Sequence, residues 1–323
     1  MAKNQSVHGQ DRRAFLRGLA GTGGSFLLMS GIGALMGQSI SNWKNQIGLE
    51  LYTVRDLPAK DFEGTIAKVA GIGYKEVEPV GYGGLDPKQF RALLDRHGLS
   101  APSTHAGVTS GSDLEKQLEG QQVMGHKYTE VHAARPVAPR APASKRGPAL
   151  PKRETEEAVK RAAAQLNHDG KLTQKFGMKI LVHNHTQEFE RLEGSGTQRP
   201  YDILLAETDP ALVAMQLDIG WASVAGQNIV EMFEKNPGRF ELWHVKDASG
   251  LKHMDAALTP NRRRQSSKLV PVGQGDVDYK AIFAKAELAG LKHFCIEQDN
   301  AAESGDSVAA ARTSYDNLKR ILT

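Results

Sequence analysis

From Ile47 onward, short apolar runs of strand type alternate with longer segments whose apolar residues recur at helical spacing. The runs are IGLELYT, YKEVEPV, SAPSTHA, KYTEVHA, MKILVHNH, VAMQLDI, FELWHVK and HFCIEQD. Between them lie amphipathic stretches such as FEGTIAKVAGIG, PKQFRALLDRHG, EAVKRAAAQLNHDGKLTQKFG and YKAIFAKAELAG, each ending in a glycine suited to a helix C-terminus. Eight repeats of strand then helix predict a parallel sheet closed by its helices, a single-domain α/β (β/α)8 TIM barrel over residues 45–323. Residues 1–44 stand apart as a signal segment and short linker.

Four polar residues close strand runs in the second half of the chain: His183, Asp218, His244 and Glu297. In such a barrel the C-terminal strand ends carry the chemistry, and two imidazoles with two carboxylates form a donor set for one divalent metal ion. Each has a structural alternative: a helix N-cap for Asp218, and a satisfied core position for His244. Glu297 would carry a desolvation cost that a cation removes. Side chains alternate along a strand, so His183 and His185 share a face; either could be the fourth ligand, and His183 is preferred, leaving His185 for substrate. Glu188 and Glu190 follow as candidate acid or base groups, and Lys246 could neutralise an oxyanion. His105 and Glu78 end the third and second strands and are expected on the substrate side, with Glu50 and Tyr52 weaker candidates on the first.

Composition narrows the function classes. The 323 residues, 40% apolar and 24% charged, can bury a full core, and a net charge of +4 spread over a leader and two loops does not imply nucleic acid. The leader DRRAFLRGLAGTGGSFLLMSGIGALMG has an arginine pair, Arg12 and Arg13, before a glycine-rich apolar stretch, and resembles a twin-arginine export signal. It predicts export to the periplasm by the twin-arginine translocation machinery, or a membrane anchor if the segment is retained. The lone Cys295 excludes an intramolecular disulfide and reads as a core residue. Two segments interrupt the rhythm: 133–152, dense in Pro, Ala and Arg, and about 249–274, whose Arg262, Arg263 and Arg264 could cover the site or hold an anionic group.

GLELYTVRD, GIGYKEVE, HNH with EFE, LDIGW, HVKD, VGQGDVDY and IEQD together resemble the xylose-isomerase-like barrel superfamily, the group of sugar phosphate isomerases and epimerases. The resemblance covers residues 47–323 and implies one divalent metal, commonly Mn, Mg, Co or Zn, on His183, Asp218, His244 and Glu297. Ketose 3-epimerases of this group pair a fifth-strand glutamate with the carboxylate matching Glu297; here that place holds His183, which disfavours a two-carboxylate exchange. What the resemblance implies is a metal-dependent isomerase or epimerase that abstracts a proton beside a carbonyl of a sugar or sugar derivative, with Glu297, His185 or Glu190 as base. Expulsion of a leaving group from the same intermediate would instead give a 3-keto-glycoside lyase or hydratase. The endonuclease IV branch needs a histidine three residues after the aspartate; this chain has Trp221, better suited to stacking on a sugar ring. The competing class is a non-catalytic periplasmic sugar-binding barrel. A homo-oligomer is compatible with all of these.

Overall fold

A computed structural model describes residues 42–57, 61–132, 155–192 and 197–323. Residues 1–41, which include the expected export signal, and the Pro-rich stretch after the fourth strand lie outside the described residues. Seven parallel strands come first: β1 (Gly48–Glu50), β2 (Glu76–Glu78), β3 (Ser103–Thr109), β4 (Tyr128–His132), β5 (Lys179–His183), β6 (Val213–Asp218) and β7 (Leu242–Val245). A two-stranded antiparallel ribbon follows, β8 (Asp247–Ser249) with β9 (Lys268–Val270), and β10 (His293–Ile296) completes the sheet. The order β2-β1-β10-β7-β6-β5-β4-β3 is that of a barrel opened between β2 and β3. Backbone bonds from Val77 N to Ser100 O (2.9 Å) and His105 N to Pro79 O (3.0 Å) span that seam, so the barrel is nearly closed.

Local chemistry accounts for the helices. Asp86 and Gln89 form a reciprocal capping box on Pro87–Arg96, and Thr155 caps Glu156–Lys175, the longest helix of the described residues. The amphipathic run 279–290, read as one helix, is two: Tyr279–Phe283 and Ala286–Ala289. Alternation along each strand separates two environments. Trp243 faces outward and stacks on Phe233 at 5.0 Å, within the aromatic packing between sheet and helices, while His244 points into the barrel. Cys295 is buried in β10, as expected of a core residue, and burial raises its thiol pKa well above the ordinary value. No described helix is long and apolar enough to cross a membrane.

The stretch 249–274 is ordered rather than a bare loop, through the ribbon and a helix at Pro260–Ser266. Asp247 organises it. Its carboxylate accepts from the backbone amides of Ala248, Gly273, Gly275 and Val277 at 2.9 to 3.2 Å, which explains why HVKD and VGQGDVDY occur in the same chain. A Cβ at Gly275 would fall 2.1 Å from Asp247 Oδ1, so only glycine allows this approach. Tyr279 then donates to the carbonyl of Lys246 at 2.6 Å, tying the loop to the strand end that carries Lys246.

Candidate active site

Register brings the strand ends to one level. Asp218 pairs with His244 across β6 and β7, and His183 pairs with Gln216 across β5 and β6. Ile296 pairs with Val245, which sets Glu297 one residue beyond β10 beside Lys246. The ligand atoms of His183, Asp218, His244 and Glu297 all lie within 4.8 Å of one another. Asp218 performs both roles that its position allowed. Its Oδ1 accepts from Trp221 N at 2.7 Å and caps the helix Ile219–Val224, while Oδ2 faces inward, 4.0 Å from His183 Nε2. That helix can begin so near β7 because residue 220 is glycine: a Cβ there would lie 2.3 Å from Lys246 O. Asn184, between the two histidines, accepts from Asp218 N (3.0 Å) and donates to Asp218 O (3.3 Å), fixing the tops of β5 and β6 together.

Lys246 is fully buried among carboxylates. Its Nζ lies 2.8 Å from Asp218 Oδ2, 2.8 Å from Glu297 Oε2 and 2.7 Å from Asp299 Oδ2. Burial opposes its charge, but those three carboxylates outweigh it and hold the ammonium well above its ordinary pKa. Burial likewise opposes ionisation of Glu297, and the Lys246 charge overrides it, keeping this carboxylate well below its usual range.

Below this level a second polar layer crosses the barrel. His244 Nε2 lies 2.5 Å from Glu78 Oε2, and its Nδ1 lies 2.8 Å from Glu297 Oε2 and 3.2 Å from Glu50 Oε2. His105 has Nδ1 3.2 Å from Glu50 Oε1 and Nε2 2.6 Å from Gln216 Oε1, while Gln216 Nε2 donates to both oxygens of Glu78 at 2.8 and 3.0 Å. With acceptors at both nitrogens, His105 is an imidazolium. Burial disfavours its charge, but Glu50 and Glu78 raise its pKa well above the ordinary value. For Glu78, burial pushes up and the charges of His105 and His244 pull down further, to about 2.

The residues expected from the sequence therefore separate into three groups. His183, Asp218, His244, Glu297 and Lys246 meet directly. Glu78 and His105 bind one another's neighbours beneath them, with Glu78 fully buried, together with Glu50; Tyr52 is instead exposed, its ring covered by Arg55. His185 stands at the edge, its ring 4.9 Å from that of His183. Burial, then the charge of Lys246, lowers its pKa to about 4, so it is a neutral imidazole at pH 7. Glu188 accepts from His185 N at 2.7 Å, and Glu190 accepts from Asn261 N at 2.8 Å, which turns Glu190 toward the Pro260–Ser266 helix. Trp221 is almost wholly buried beside Lys246, its ring centroid 4.9 Å from Nζ. Gln216 and Asp299 were not anticipated, although Gln216 lies two residues before Asp218 on the same face of β6, and Asp299 lies in the turn just beyond β10.

Whether these donors suit a divalent ion can be judged from their state. His183 Nδ1 is buried and lacks a hydrogen-bond partner among the described residues, and Asp218 Oδ2 meets the Lys246 ammonium at 2.8 Å while its remaining lone pair faces the cluster. His183 is held neutral, its pKa lowered by burial and then by the neighbouring imidazoles, which leaves a lone pair for coordination. Carboxylates at both nitrogens of His244 outweigh its burial and raise its pKa to about 10, so a metal would take the place of the Nδ1 proton that faces Glu297 and Glu50, while Glu78 accepting from Nε2 is the carboxylate–histidine support common behind a metal-bound imidazole. The donor set fits.

Residues 66–321 match the model of the xylose isomerase-like TIM barrel family. The chain belongs to this family. Among curated proteins of similar sequence, the inosose dehydratase of Geobacillus kaustophilus is 29% identical over 241 residues, 68% of this chain and 74% of that protein. The inosose dehydratase of Bacillus licheniformis is 32% identical over 134 residues, 40% of this chain and only 42% of the relative. Among solved barrels of this kind, a sugar phosphate isomerase/epimerase from Parabacteroides distasonis superposes with a TM-score of 0.65 at 21% identity, covering 85% of this chain and 94% of the other. The IOLI protein, solved with a zinc atom, superposes with a TM-score of 0.58 at 15% identity over 86% and 98%. The relatives of similar sequence are named dehydratases, and this chain spans less than half of the length of the one from Bacillus licheniformis.

Proposed function

We propose that this protein is a metal-dependent lyase that abstracts a proton beside the carbonyl of a keto-sugar or keto-cyclitol and expels a hydroxyl group from the neighbouring carbon. The observation that carries the reading is the convergence of His183, Asp218, His244 and Glu297 within 4.8 Å, with the buried ammonium of Lys246 against two of them. A divalent ion bound there, whose identity the donors leave open among Mn, Mg, Co and Zn, supplies a Lewis acid for the substrate carbonyl.

The chain's own residues supply the rest. Neutral His185, at the edge of the cluster, takes the proton from carbon. As the C–H electron pair forms the new double bond, the C–O bond of the adjacent hydroxyl breaks, and the oxygen leaves as water with the proton that His185 took, steadied by the Lys246 ammonium. Asp299, about a quarter exposed, holds that ammonium toward the open side of the site. Trp221 and the buried network of Glu50, Glu78, His105 and Gln216 exclude water behind it. Elimination is favoured over two-face exchange because His183 stands where a second carboxylate would be required, and because the relatives of similar sequence are named as dehydratases. Export through Arg12 and Arg13 belongs to the same proposal; Lys at both positions should leave the protein in the cytoplasm on fractionation.

The test is proton NMR in deuterated water with metal-loaded protein and a panel of ketoses, inososes and 3-keto-glycosides, with and without chelator. Chelator-sensitive exchange at the carbon beside the carbonyl, with loss of water, is the expected result. Exchange with an epimeric product would make the enzyme an isomerase or epimerase. Absence of exchange with every substrate would leave a sugar-binding barrel and defeat the proposal.

A further inference from the structure

Two cations lie against the Trp221 ring, and their circumstances differ. Lys246 is sealed from solvent and matched by three carboxylates. Arg264 places its guanidinium 4.5 Å from the ring centroid, is exposed, and has no carboxylate within ion-pair distance among the described residues. The helix that carries it is pinned. Thr259 caps that helix, Glu190 accepts from Asn261 N at 2.8 Å, and Arg263 donates to Val224 O (2.7 Å) and Asp255 O (3.1 Å). Of the three consecutive arginines, Arg263 is therefore spent on the fold, and Arg264 alone is stacked at the site. Its charge reaches the His185 ring, which also feels that of Lys246. Stacking fixes the plane of the guanidinium and leaves its N–H groups unused.

We propose that Arg264 binds an anionic group of the substrate, carboxylate or phosphate, so that the enzyme acts on acidic rather than neutral keto-sugars. This rests on the reaction site proposed above and adds the substrate class. A guanidinium held by an indole face presents its hydrogen-bonding edge to an oxyanion, and such charge-assisted pairs are among the stronger polar contacts. The site itself is crowded with carboxylates, so the anionic end of a substrate has reason to stay at the mouth near Arg264, with its carbonyl directed inward.

Calorimetric titration of zinc-loaded, full-length protein tests this with D-fructose, D-fructose 6-phosphate and 2-keto-D-gluconate. The expected result is that at least one charged probe binds about tenfold to a hundredfold more tightly than fructose. Arg264→Gln should erase that preference, whereas Arg262→Gln should preserve it. The phosphate and carboxylate probes separate the two anion types. A charged-to-neutral ratio that survives Arg264→Gln, equal affinity for all three probes, or no binding of either charged probe overturns the proposal. Chelator-sensitive deuterium exchange by the wild type with no preference for a charged probe would leave the reaction standing while the anion site falls; an anion preference without exchange would do the reverse.

Discussion

Replacing Lys246 by methionine removes the one ammonium that three carboxylates share while keeping a side chain of similar length. Asp218 and Glu297 are almost completely buried, and each has an oxygen 2.8 Å from Nζ. Asp299 is about a quarter exposed and can regain water, so the cost falls mainly on the other two. Breaking a buried pair by deleting one partner costs roughly 3–5 kcal/mol, because the remaining charge is left in a poor solvent for it. Chelated Lys246→Met should therefore lose about 3–5 kcal/mol of unfolding free energy at pH 8 in a urea titration. The loss should shrink as pH falls, since the unpaired carboxylates then take up protons and shed their charge. Metal loading should shrink it as well, because a divalent ion neutralises the same oxygens of Asp218 and Glu297. A loss below about 1 kcal/mol in chelated protein at pH 8, or an equal loss with and without metal, would refute the electrostatic account of this cluster.

Asp218→Ala and His244→Ala should each abolish stoichiometric metal by elemental analysis of the folded protein; metal retained in both would remove the ligand assignment. Glu78→Gln should weaken metal binding about 10- to 100-fold without touching a ligand, since an amide supports the His244 imidazole less well than a carboxylate; unchanged affinity in a competition assay would place Glu78 outside that role. His126 is buried, with Nδ1 2.7 Å from Ala101 O and Nε2 3.2 Å from Tyr82 Oη, and burial lowers its pKa to about 4. Between that value and the unfolded value near 6.5 the unfolded chain binds the extra proton, so this residue's contribution is complete above pH 6.5 and is lost as pH falls. Wild type should lose about 2 kcal/mol more stability than His126→Gln between pH 7 and pH 5, and parallel losses would contradict the assignment.

Much of the architecture follows from the chain's own periodicities. Eight apolar runs with amphipathic segments between them could satisfy their backbones and bury their apolar faces only as repeated βα units, and the strand-end positions of Asp218, His244 and Glu297 followed from the same runs. What a linear pattern cannot carry is which polar residues meet. Glu78 reaches His244 across 166 positions, and Gln216 reaches Glu78 across 138, because register and barrel closure place these residues inside one layer. A slip of one residue would turn each to the opposite face. Glu190 looked like part of the HNH cluster by proximity in sequence, yet the turn at Gln187–Phe189 carries it to Asn261. Asp218 was read as either cap or ligand, and a carboxylate with two oxygens does not have to choose. Sequence alone determined the barrel and the donor types at its strand ends, since both depend on local alternation. Only tertiary structure decided which histidines the carboxylates hold charged, which lysine is enclosed by carboxylates and which arginine is left facing the site, because charge state and partnership depend on distances across the barrel rather than along the chain.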